Sequence, residues 1–185
     1  MIRPNMDRFA EFQAVIRKGD YGPQGWGGSH IGSFWGGQTI QGIVPYFYHV
    51  LHKGDAKEMN RCEYNMMVDN PYRAETTKCL NKQPTCQDCR AQDEALVKSV
   101  HFTICQKPWT CTEHTNPRNA RLCSIFHDKW FVLRDELETS LGIGPGYRAD
   151  LSTTRYKTSL GMCKRYGNKG YIPIPLEGVL HKAAV

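Results

Sequence analysis

Cys62, Cys79, Cys86, Cys89, Cys105, Cys111, Cys123 and Cys163 are the eight cysteines of this 185-residue chain. Seven of them fall between residues 62 and 123, so that stretch is the part a covalent or metal staple would hold. An even, clustered set is the pattern of a chain bridged by disulfides in an oxidising lumen. Zinc is the alternative, because Cys86-x-x-Cys89 is half of a knuckle and Cys62 and Cys79 would complete four thiolates. Eight cysteines admit about a hundred full pairings, so spacing leaves the connectivity open.

Hydrophobic residues make up 40% of the chain and aromatics 11%, which supports a packed core and excludes wholesale disorder. No run approaches the ~18–20 apolar residues of a membrane-spanning helix. The opening MIRPNMDRF has no apolar h-region, so it does not read as a signal peptide. The net charge is +6, and from Pro145 onward seven Lys/Arg face two Asp/Glu. The body before Pro145 is close to neutral, which excludes a strongly nucleic-acid-binding surface there. Lys164, Arg165 and Lys169, interleaved with Tyr156, Tyr166 and Tyr171, read as a solvated basic tail rather than an RNA groove.

Two helices stand out. The first opens at Pro4-Asn5, carries Phe9, Phe12, Val15 and Ile16 on one face, and closes at Lys18-Gly19. The second spans 119–141, with Leu122, Ile125, Phe126, Trp130, Leu133, Leu137 and Leu141 in steps of three and four. Between them, 19–37 is a loop rich in glycine and aromatics. There Trp26, Trp35 and His30 read as anchors, with packing on a sugar face as the functional alternative. Residues 38–51 form an apolar helix broken near Pro45. Short strands are expected over Cys62–Val68 and Leu96–Ile104, with a polar, Cys-rich excursion over 72–94. Asp69-Asn70 reads as an Asx turn, His114 and His127 have no evident partner, and 143–185 is an irregular tail.

The most informative string is His101-Phe102-Thr103-Ile104-Cys105-Gln106-Lys107-Pro108-Trp109. An imidazole is a ligand for a divalent ion, and a lysine six residues on offers a compact charge to phosphate oxygens. The string resembles the His-Phe-x-Gly-x-x-Lys-Pro-Trp motif of glycogenin-like, family 8 type glycosyltransferases, with Ile104 at the family's glycine. In the same order, Ile2-Arg3-Pro4 resembles the family's strand-to-helix junction. Gln41-Gly42 resembles its Asp-Gln-Gly, with Ile40 at the aspartate, and Tyr64-Asn65 its Tyr-Asn.

The resemblance implies an α/β architecture. Residues 1–142 would be the C-terminal half of a GT-A (Rossmann-like) nucleotide-diphospho-sugar transferase domain, with the Cys-rich insertion near 72–94. It implies a retaining transfer of a hexose from a nucleotide-sugar donor, UDP-linked, to the hydroxyl of a glycan or protein acceptor. His101 would bind Mn2+, Lys107 the donor diphosphate and Gln41 the donor sugar. Disulfides and this family together imply the lumen of the Golgi or endoplasmic reticulum. The family's Asp-x-Asp metal pair occurs nowhere in the 185 residues, so the resemblance implies a fragment lacking that half. The reading that competes is a non-catalytic, Cys-stapled or zinc-binding interaction module.

Overall fold

The computed structural model describes residues 2, 4–69, 87–112, 116–150 and 157–176. The chain divides into two compact units, Met1–Met59 and Asn60–Val185.

In the first unit, helix α1 (Met6–Lys18) starts where the sequence places it. Asn5 Oδ1 accepts from the amides of Asp7 and Arg8 at 2.9 and 3.1 Å. Asp7 sits at the positive end of the helix dipole, and Gly19 closes the other end with φ of 61°. The face of α1 is only partly covered, since none of its residues is fully buried. Phe12 meets Phe47 edge to face at 5.1 Å, and Arg8 and His52 pair with Asp55 and Glu11.

The glycine-rich stretch is a loop that contains a two-residue antiparallel pair, β1 (Tyr21–Gly22) with β2 (Gly25–Trp26). Helix α2 (Ile40–Tyr46) contains Pro45, and the turn beyond it (Phe47–Leu51) widens to π geometry. Proline lacks the amide that would bond one turn back, so the break falls where expected.

The second unit departs more from expectation. Cys62–Val68 is not a strand: Asn60 Oδ1 accepts from the Cys62 amide at 2.9 Å and starts a short helix, α3 (Arg61–Tyr64). Nor is Leu96–Ile104 a strand. Glu94–Leu96 is a 3-10 turn, and among the described residues the stretch's only ladder contact is a parallel bridge between Met66 and Val100. The amides of Lys98 and Ser99 both turn to one carbonyl, that of Glu63, at 2.7 and 3.1 Å, which diverts them from a ladder. Among the described residues there is accordingly no doubly wound parallel sheet.

The long helix α4 (Ala120–Ser140) matches its sequence pattern and organises two cores. Leu122, Cys123 and Phe126 pack with Cys62, Met66, Val68, Cys89 and Cys105. Phe131 packs with Cys111, Met162 and Cys163. Residues 157–176, expected as part of a tail, supply the last two of these and are tied down by the Cys111–Cys163 disulfide. The segment is irregular but anchored. Glu138, fully buried near the end of α4, takes Arg134 at 2.7 Å and also pairs with Arg148. Burial alone would raise the Glu138 carboxyl. Hydrogen bonds from Tyr147, Arg148 and Arg134 outweigh that and hold it below its ordinary range.

Among the described residues three disulfides are present: Cys62–Cys89, Cys105–Cys123 and Cys111–Cys163. Cys79 and Cys86 lie outside the described residues. Because Cys62 and Cys89 are bonded to each other, the four-thiolate zinc arrangement loses two of its ligands.

Candidate functional site

The turn from His101 to Trp109 is built from both its ends. At the start, the parallel bridge fixes the backbone. The Met66 amide donates to Ser99 at 3.1 Å and the His101 amide to the Met66 carbonyl at 2.8 Å. At the far end Pro108–Thr110 form a 3-10 turn, with Pro108 buried and Cys111 in the left-handed region at φ 54°. Between these, Cys105 is bonded to Cys123 of α4 and Cys111 to Cys163. Lys107 thus sits on a short span pinned covalently on both sides. Among the described residues it has no carboxylate partner.

The side chains of His101 and Lys107 are both exposed. Lys107 folds back so that Nζ donates to the Phe102 carbonyl at 3.1 Å, one residue from His101. His101 Nδ1 lies 3.1 Å from Asn65 Oδ1. With Asn65 Oδ1 as the acceptor, Nδ1 is the donor of this contact, which leaves Nε2 as the ring's other polar atom. A histidine whose one ring nitrogen donates to the protein can ligate through the other. Tyr64-Asn65, weak as a motif, therefore supplies the group that orients His101.

One residue of this site was not legible in the sequence. His127, on the buried face of α4, contacts the Gln106 carbonyl through Nε2 at 2.5 Å and meets Phe102 edge to face at 5.6 Å. It props the turn from below. Burial lowers its pKa, against the smaller opposing pulls of the Gln106 carbonyl and Asp128. The spacing of Cys123 and His127, one helical turn apart on the buried side, was the only available signal. Beside it a cavity of about 280 Å³ is lined by Thr112, His127, Asp128 and Ser159 among others. Trp109, half exposed, tilts against Trp130 at 5.8 Å.

The other sequence candidates fall elsewhere. Gln41 is exposed on the first turn of α2, in the first unit. Asp69 pairs with Arg61. Asn70 and His114 lie outside the described residues. The donor chemistry at His101 fits one ligand of a metal ion. A Mn2+ shell needs several oxygen ligands. Among the described residues no group of three or more His, Cys, Asp or Glu is placed to hold a metal. One imidazole is not a shell, and the described residues do not by themselves form a Mn2+ site.

No protein-family model, curated protein or solved structure matches the chain. The three disulfides suit an oxidising compartment. Among the described residues no helix is long and apolar enough to cross a membrane.

Proposed function

We propose that this chain is the leaving-group half of a retaining, GT-A type hexosyltransferase that works in the secretory lumen, and that the turn from His101 to Trp109 receives the diphosphate of a UDP-linked sugar. One observation supports this above the others. An ammonium and an imidazole share one exposed turn, which two disulfides and a buried histidine hold in place. The parallel Met66–Val100 bridge immediately before it is the type of contact from which a GT-A sheet is made.

In the transfer, the bond between the anomeric carbon and the diphosphate oxygen breaks. A bond to the acceptor hydroxyl oxygen forms, the electron pair leaves with the diphosphate, and the acceptor proton is released. Charge develops on the diphosphate oxygens. Lys107 is the cation of this turn that can stabilise it, carried on a span pinned at Cys105 and Cys111. Metal carboxylates of the Asp-x-Asp type would have to come from another polypeptide segment. Calorimetry with UDP and UMP tests the assignment. Lys107→Gln is expected to weaken UDP by about tenfold, the worth of a charged hydrogen bond, and to leave UMP unchanged. Equal UDP affinity in the two proteins removes Lys107 from the role.

The three disulfides favour a second reading, a covalently stapled module that binds a partner without catalysis. Absence of any nucleotide binding in the wild-type chain would leave this one standing.

A further inference from the structure

We propose that the cavity between α4 and the Cys111–Cys163 disulfide binds a small primary alkylammonium ion, with Asp128 as its counter-charge and the lining hydroxyls as its further acceptors. One wall is a helix face. Ser124, His127, Asp128 and Phe131 stand at i, i+3, i+4 and i+7 on α4, so they lie along one stripe. Exposure falls along it, from Ser124, which is exposed, through Asp128, half-buried, to Phe131, 4% exposed.

The other two walls belong to the same compact unit and are tied to each other. The turn after Lys107 contributes Cys111 and Thr112, and residues 157–176 contribute Ser159 and Cys163. The Cys111–Cys163 bridge joins them at a Cα–Cα distance of 5.8 Å. His127 fixes the turn to α4 through the Gln106 carbonyl at 2.5 Å. The walls are thus held before a ligand arrives, and little ordering entropy is left to lose on binding. At about 280 Å³ the cavity lies at the lower edge of ordinary ligand pockets, about 300–1,000 Å³, so the guest is small.

Charge selects the ligand class. None of the lining residues is lysine or arginine. Burial lowers the pKa of His127, so the imidazole is neutral at pH 7 and does not repel a cation. Burial raises that of the Asp128 carboxyl, against a smaller pull from His127. Among the described residues no lysine or arginine pairs with Asp128. A partly desolvated carboxylate without a counter-ion is a group that a bound cation stabilises. An ammonium carries three donors. Asp128 takes one, and Thr112, Ser124, Thr158 and Ser159 offer hydroxyl oxygens for the others. Phe131, Pro108 and the disulfide give an apolar surface for a short alkyl stem. A phosphate would meet Asp128 instead, so this site is distinct from the one at Lys107 and does not rest on the transfer reading.

The oxidised 185-residue chain is titrated with n-butylammonium chloride, 1-butanol and potassium chloride while the backbone amides of Thr112, Asp128 and Ser159 are followed by NMR. Butylammonium is expected to shift these signals saturably. 1-Butanol has the same stem without the charge, and is expected to bind about tenfold more weakly. Asp128→Asn keeps the shape and removes the charge. It is expected to weaken butylammonium by about tenfold and to leave 1-butanol unchanged. Ser124→Leu adds bulk at the exposed rim and is expected to weaken both guests. The proposal is overturned if butylammonium moves none of these signals, if 1-butanol binds as tightly, or if Asp128→Asn binds butylammonium as well as the wild type. Potassium that reproduces the butylammonium shifts at equal concentration overturns it in favour of an inorganic cation. The comparison of the two guests uses the wild type alone, so it decides the matter even where Asp128→Asn does not fold.

Discussion

The unit Met1–Met59 contains no cysteine, while the unit Asn60–Val185 contains all eight. The first is held by close backbone contact between glycines and by aromatic pairs such as Phe12 with Phe47 and Trp26 with Tyr46. The second is held by disulfides and by a buried carboxylate between two guanidinium groups. The difference matters because the candidate site follows it. The glycine packing of the first unit is one that no reductant touches. Lys107 and His101 are displayed by a turn whose ends are covalent.

The largest expected effect separates the two directly. Reduction should unfold the second unit while leaving the first intact. The Cys111–Cys163 bridge alone closes a 52-residue separation, worth about 4 kcal/mol on the chain-entropy scale. Hydrogen exchange with and without dithiothreitol reads this out, unit by unit. Equal loss of protection on both sides of Met59 would break the comparison.

Next is Glu138→Ala, which leaves Arg134 and Arg148 buried without their shared carboxylate. A loss of about 3–5 kcal/mol is expected in urea unfolding of the second unit. In the first unit, Gly37→Ala forces a methyl onto a backbone carbonyl that has little room to yield. About 1–3 kcal/mol should be lost there, insensitive to reductant.

The smallest effect is in pH. Burial lowers the folded-state pKa of His127 below the unfolded value of about 6.5. Above that value both states are neutral and nothing is lost. Below it the unfolded chain takes up a proton that the folded one refuses, so stability falls as pH drops toward the folded pKa. Urea midpoints of wild type and His127→Gln between pH 7 and pH 5 should diverge in slope. Parallel slopes would remove His127 from its buried position under the turn.

How much of this was legible varies with the physics involved. Helices α1 and α4 could be read because capping and periodicity are local. Asn5 and the leucine spacing say the same thing in sequence and in space. The break at Pro45 was legible for the same reason. The expected strand at Leu96–Ile104 failed because its apolar residues face a core without forming a ladder. Val97, Val100 and Phe102 pack on the first cluster through one bridge, while Ile104 stays 45% exposed. Asn60 was a cap hidden in a polar stretch. That His101 and Lys107 share one short stretch was legible in their string. His127 and the disulfide pairing were not, because both depend on which distant residues the fold brings together. The close backbone packing of Gly32, Gly37 and Gly42 was also invisible, since a run of glycines reads as freedom until their backbones are seen in contact.

The most direct measurement is 31P NMR of UDP titrated with the oxidised chain, alongside Lys107→Gln. The account requires a saturable shift of the β-phosphorus that needs about tenfold more protein to reach half-saturation with Lys107→Gln, with the α-phosphorus moving less. A β-phosphorus that does not move, or moves equally with Lys107→Gln, would contradict it.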